Sequence, residues 1–294
     1  MTQRAEADWT AASFVRLARR ERATRYLLLL PGLLLVALLL APFLWLSVSS
    51  FFSEGELSLK NYQLMLDNPS YATILLTTFE LSAVVTLVVT LLGYPTAYFI
   101  WLLPSRWAAI ALGCVAIPFW TSLLVRTYAW LVVLQRRGLI NTWLEAIGVI
   151  DHPLRLANSF LGTSIGMVHI MLPFFIFPLY ASLRMIDTNL LRAASGLGAG
   201  AARSFFDVML PLSLPGLLAG MLLTFVLCLG FYITPQLLGG GNVNTISMRI
   251  FQNVSTYPEL GPASSLGVIL LLAVVVVLLP MTWLASRRRG PRGG

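Results

Sequence analysis

Tyr26-Leu-Leu-Leu-Leu-Pro-Gly-Leu-Leu-Leu-Val-Ala-Leu-Leu-Leu-Ala-Pro-Phe-Leu-Trp-Leu-Ser-Val48 runs for 23 residues without one charge. A helix of about 20 apolar residues crosses a hydrocarbon core of roughly 30 Å, so this stretch reads as a membrane span. It is too long for the apolar region of a cleavable signal, and about 25 polar or mixed residues precede it. Working outward, five more stretches meet the same test. They lie at about Ala72–Trp101, Trp107–Val125 with an extension through Arg126 to Leu134, Leu161–Leu183, Gly216–Leu238 and Ser264–Leu284. Pro173 and Pro178 are expected to break the fourth. The fold class is therefore all-α, a polytopic membrane protein with six transmembrane helices.

Composition supports this reading. The chain is 57% hydrophobic and 11% charged, whereas a soluble domain carries roughly 25% charged residues. The net charge of +8 does not point to nucleic acid, because the arginines cluster at the termini and between apolar runs instead of forming one stripe. With the N-terminus inside, 14 basic residues fall on the cytoplasmic side, among them Arg16, Arg19, Arg106, Arg184, Arg192, Arg203 and Arg287. The outside holds 5, namely Lys60, Arg136, Arg137, Arg155 and Arg249. This bias places both termini in the cytoplasm. The chain divides into a basic N-terminal segment (1–25), a six-span domain (26–286) and a basic tail (287–294). The N-terminal segment reads either as an amphipathic stretch on inner-leaflet lipid or as a solvated flank. The outer segment around LINTWLEAIGVI (139–150) is expected to be an interfacial helix.

The same sequence argues against an enzyme. His152 and His169 are the only histidines, and neither has a Cys, Asp or Glu at metal-ligand spacing. His169 reads as a packing residue, and Cys114 and Cys228 read as thiols packed in apolar runs. Neither a metal nor a cofactor is implied. The only lysine is Lys60, between Leu59 and Asn61, which excludes a phosphate-binding G-x-x-x-x-G-K-[ST] loop. If the chain moves a solute uphill, the energy must come from an ion gradient or from another subunit.

Between the fourth and fifth apolar runs lies a connection of roughly 30 residues (about 184–215), far longer than two antiparallel helices need. Asp187 or Thr188 can cap a helix beginning near Asn189. Ala193, Ala194 and Gly198 supply a small face, and Gly198 and Gly200 can end the helix. Ala201–Met209 can form a second, which Pro211 and Pro215 are expected to stop. The result is a helical elbow on the cytoplasmic side.

This elbow resembles the E-A-A-x-x-x-G-x9-I-x-L-P motif of permease subunits of bacterial ATP-binding-cassette importers. The chain has Arg192-Ala193-Ala194, Gly198, then nine residues, then Val208-x-Leu210-Pro211. Spacing is identical, Val replaces Ile, and Arg192 stands where the family has Glu. Further segments resemble the spermidine/putrescine type within that family. These are Pro118-Phe-Trp-Thr-Ser-Leu-Leu-Val-Arg-Thr-Tyr-Ala-Trp130, Gly138-Leu-Ile-Asn141, Leu92-Gly-Tyr-Pro-Thr-Ala-Tyr98 and Tyr232-Ile-Thr-Pro-Gln-Leu-Leu-Gly-Gly-Gly241. The resemblance implies the type I ABC importer permease fold in a bacterial inner membrane. It also implies pairing with a second permease, two copies of an ATPase subunit and a periplasmic substrate-binding protein. The elbow residues Arg192, Ala193, Ala194, Gly198, Val208, Leu210 and Pro211 would dock on the ATPase.

Residues of a cation path can be weighed beside it. Glu80 is the one acid inside a span, where a charge costs a few kcal/mol unless it faces a cavity or partner. Tyr98, Trp120, Tyr128, Trp130 and Tyr232 could add cation–π attraction for a polyamine, with interfacial anchoring the alternative for Tyr128 and Trp130. Arg126 suits structural pairing or a contact with the binding protein. An opine or other small amine is the alternative substrate, and a gradient-driven secondary transporter is the more remote alternative.

Overall fold

The computed structural model describes residues 29–53, 56–256 and 260–287. The N-terminal segment 1–25 and the tail beyond Arg287 lie outside them. Five helices are long and apolar enough to cross a membrane, and a bent pair makes a sixth span. These are α1 (Leu29–Ser49), α3 (Pro69–Leu102), the pair α4 (Ser105–Ala116) and α5 (Leu123–Leu134), α7 (Phe160–Arg184), the stretch ending in α10 (Leu210–Leu229), and α13 (Gly261–Arg287). Shorter helices α2 (Lys60–Asp67), α6 (Leu139–Ala146), α8 (Thr188–Gly196), α9 (Ala201–Ser204), α11 (Ile233–Leu238) and α12 (Ile246–Thr256) fill the connections. The only strands among the described residues are Phe52–Ser53 and Glu56–Leu57, paired antiparallel.

The core is the bundle α3–α7–α10. Between lipid tails there is no hydrophobic gain from pairing two apolar helices, so close contact at small residues must hold them. Phe175 of α7 is fully buried between Gly93 of α3 and Gly220 of α10. A Cβ at Gly93 would lie 2.5 Å from the Phe175 ring, and one at Gly220 would lie 3.0 Å from it. α7 is the most buried span, and this accounts for a departure from expectation. Pro173 and Pro178 do not break it, since packing on all sides holds the helix through both prolines. α3 likewise continues through Pro95; it starts at Pro69 with the Asn68 side chain accepting from the Ser70 amide at 3.0 Å. By contrast α1 is exposed over nearly its whole length.

Two expected spans are interrupted. In the third, Pro118 has no N–H for the Cys114 carbonyl, so α4 tightens into a 3-10 turn at Ile117–Trp120. Thr121 and Ser122 are then extended, and the chain bends by 94°. In the fifth, α10 stops at Leu229 and does not reach Leu238. The ring of Pro235 would collide with the Phe231 carbonyl of a continuous helix, so α11 starts afresh and holds Pro235 in its first turn. Cys114 is exposed on α4, contrary to its reading as a packed thiol, while Cys228 is buried. The expected helix near 139–150 is α6, with Trp143 exposed.

Candidate functional site

The elbow is built from local signals. The Asp187 carboxylate caps α8 by accepting from the Asn189 amide at 2.9 Å. At the other end the Gly198 amide donates to the Ser195 carbonyl and the Ala199 amide to the Ala194 carbonyl, each at 3.0 Å. Gly198 has φ +83°. This paired C-terminal closure needs a left-handed residue at that position, which explains the glycine. Gly198 therefore terminates the helix and does not extend the small face of Ala193 and Ala194. No residue of α8 is buried. Arg192 is exposed on it, and Met185, Leu190, Leu197 and Phe206 stand exposed around it. Large apolar side chains left outside a core mark a contact surface.

Beyond the elbow the expected stop at Pro211 does not occur. α9 passes through a π turn at Phe205–Met209, where the Leu210 amide donates to the Phe205 carbonyl, and runs on into α10. Pro211 donates nothing in either geometry, and the wider turn lets its ring be accommodated without ending the helix. Val208 and Leu210 are half-buried here, and Pro211 is exposed. The turn aims Phe205 at α3. Its ring meets Tyr94 edge-on at 5.9 Å and Tyr98 at 5.3 Å, and Tyr98 stacks on Trp101 at 5.8 Å. Tyr94 Oη and the buried Ser213 Oγ share a hydrogen bond of 2.8 Å. Tyr98 thus belongs to a clasp between the elbow and α3.

The two interrupted spans come together at the opposite end of the core. α5 packs on α11, and Thr127 Oγ1 and Thr234 Oγ1, both fully buried, lie 3.3 Å apart. Trp130 Nε1 donates to His169 Nδ1 at 3.1 Å, which makes His169 a satisfied neighbour of α5 and draws Trp130 inward. Arg126 Nε is buried with no hydrogen-bond partner among the described residues. Irregular backbone at membrane depth is tolerated where protein or a water-filled cavity covers it, so these breaks are candidates for the lining of a path.

The six residues weighed for that path are dispersed. Glu80 is exposed on the side of α3 away from α7, near exposed Leu76 and Leu87. Trp120, at the α4–α5 break, is 82% exposed, and Tyr128 is also exposed. Tyr232 lies at the α10–α11 break with its ring 4.8 Å from Phe251 of α12. No ring contact or hydrogen bond joins any two of the six among the described residues. The sequence assigns no role to Asn141 of the Gly138–Asn141 segment. Asn141 is fully buried, and its amide donates to the carbonyls of Gln135 and Leu154 while its oxygen accepts from the Leu154 amide. A buried asparagine bound by two separate chain segments can be found only once those segments are placed.

Comparison with known proteins places the chain. Residues 21–290 match the family described as binding-protein-dependent transport system inner membrane component. The chain is 34% identical to the spermidine/putrescine transport system permease protein PotB of Haemophilus influenzae over 253 residues, covering 85% of this chain and 87% of the relative. It is 35% identical to PotB of Escherichia coli over 266 residues, 86% of this chain and 94% of that one. The inner membrane ABC transporter permease protein YdcU of Escherichia coli is 33% identical over 71% of this chain and 76% of its own length. Among solved structures, a bacterial ABC transporter involved in import of the acidic polysaccharide alginate superposes with a TM-score of 0.75 over 89% of this chain and 94% of that one, at 16% identity. The fold is that of type I ABC importer permeases, as the motifs implied. The chain belongs to the multi-pass inner membrane components of binding-protein-dependent transport systems.

Proposed function

We propose that this chain forms half of the translocation path for a polyamine such as spermidine or putrescine, in company with a second permease subunit, two copies of a separate ATPase and a periplasmic substrate-binding protein. Its termini lie in the cytoplasm, and ATP is hydrolysed on the ATPase. The reading rests on one observation above the others: a capped helix with no buried residue, ringed by exposed apolar side chains, leads into a turn whose Phe205 is clasped to a core helix. Such a piece can take a push and pass it on. The substrate class follows from the curated relatives, which are spermidine/putrescine permeases over most of both chains.

In this mechanism, closure of the ATPases displaces the elbow at Arg192, Ala193, Ala194 and Gly198. The π turn carrying Val208, Leu210 and Pro211 transmits the displacement into α10, and Phe205 carries it into α3 through Tyr98. Arg192, in place of the usual acid, pairs with an acid on the ATPase. The spans then rock, and the path opens alternately to each side. Glu80, Trp120, Tyr128 and Tyr232 contribute to the path, where the partner permease covers the exposed ones. Along such a path the acid attracts a polyamine by charge and each ring by cation–π contact, at separate points.

The test is a transporter assembled with its partners in lipid. Spermidine and its binding protein should stimulate ATP hydrolysis and uptake. Gly198→Trp should abolish that stimulation while leaving the ATPase folded; intact coupled transport would refute the docking role. Glu80→Gln should weaken uptake, and unchanged polyamine uptake would remove Glu80 from the path.

A further inference from the structure

At the end of the core opposite the elbow, a cavity of about 530 Å³ opens between the start of α3 and the connection from α11 into α12. Asn68, Thr73, Asn242, Thr245, Arg249 and Gln252 are among its lining residues, and Arg249 is the only charged one. Its guanidinium lies 5.4 Å above the Tyr71 ring and donates through Nη1 to Gln252 Oε1 at 3.3 Å. These contacts hold the side chain, yet its Nε is buried with no hydrogen-bond partner among the described residues. Thr245 is 2% exposed, and its Oγ1 is unpartnered in the same sense. A buried cationic donor left open is costly, and an acceptor oxygen would remove that cost. The first turn of the long helix α3 borders the same space, adding the positive end of a helix dipole.

The geometry points to a carboxylate-binding pocket, occupied by an acidic side chain of the substrate-binding protein when it docks. Arg249 would pair with that carboxylate while Thr245 and the lining amides complete its hydrogen bonds. A polyamine does not suit this pocket, since its cations would meet Arg249 unopposed. The occupant is a protein side chain because the cavity is open and lies at the end from which, in the orientation proposed above, substrate is delivered. The inference rests on that orientation and on assembly with a binding protein.

The experiment uses the assembled transporter in nanodiscs, with a periplasmic spermidine/putrescine-binding protein as the probe. Half-saturation of stimulated ATP hydrolysis is measured for wild type, Arg249→Gln, Arg249→Glu, Arg249→Lys and Thr245→Val. Arg249→Gln should raise the half-saturating concentration by roughly tenfold or more, and Arg249→Glu further. Arg249→Lys should keep much of the affinity, and Thr245→Val should cost about threefold. Hydrolysis without binding protein should not change. A basic substitution at one acid on the binding protein should restore Arg249→Glu. Equal half-saturation in wild type and Arg249→Gln overturns the pocket, including the case where only transport of a carboxylate-bearing substrate falls. If the wild type itself shows no stimulation by any binding protein, it is the functional reading that fails.

Discussion

At the elbow end of the core, Tyr94 and Tyr98 of α3 meet Phe205 ring to ring, and Tyr98 stacks on Trp101. At the opposite end, Asn141, Thr127 and Thr234 are fully buried and held by hydrogen bonds. The two kinds of contact respond differently to displacement. Dispersion between rings falls gradually as they slide, whereas a hydrogen bond is gone within a few tenths of an ångström of its limit. The elbow end is therefore suited to pass on a movement, and the opposite end to keep its frame while the helices tilt.

This contrast can be broken at several points. The largest effect is expected for Asn141→Leu, which strands the Leu154 amide and two carbonyls; about 3 kcal/mol should be lost. A fall in the melting temperature of the assembled transporter checks it, and an unchanged value would mean the outer frame is held elsewhere. Next, Gly198→Ala should cost about 1–2 kcal/mol, because an L side chain must enter the left-handed region. Faster hydrogen exchange across Thr188–Gly196 would report it, with Gly198→Asn closer to wild type. A double-mutant cycle of Tyr98→Leu and Phe205→Leu should show a coupling of about 1 kcal/mol. Loss of transport coupling without loss of assembly would sharpen the assignment of this clasp to transmission. Smallest is Asp207→Asn. Its partner Arg203 lies 3.2 Å away, but the side chains are 62% and 77% exposed, so solvent screening should hold the change below about 0.5 kcal/mol.

Much of the architecture could be read from residues alone because it depends on local quantities. Apolar length announced the spans, and Asp187 and Gly198 announced the ends of α8. Prolines were less legible. Pro118 and Pro235 interrupt helices, whereas Pro95, Pro173 and Pro178 do not, and the sequence around each looks alike. What separates them is tertiary: α7 is enclosed and stays one continuous helix, while the breaks occur where short helices can pack against one another, as α11 does on α5. The site was legible at the elbow for the same reason that it was opaque along the path. A motif fixes its own turn, but Glu80, Trp120 and Tyr128 face outward, and the path proposed for them needs a second chain to cover them. Phe205 gains its meaning only from a helix distant in sequence, and Asn141 from the way the short segment 135–154 folds back on itself.

The five-residue turn at Phe205–Met209 has a further consequence for how this chain tolerates insertion and deletion. Each residue of a helix advances it by about 100° and 1.5 Å, so the way a single turn holds one surplus residue sets the angular phase between the elbow and α10. Deleting one residue there would restore uniform winding and leave every helix intact. Because the wide turn has already absorbed that residue, α8 and α9 would keep their side of the axis and Phe205 would still face α3. Closing the turn with the residue kept would instead rotate the elbow by about 100°, giving a stable, inserted permease that is mechanically disengaged.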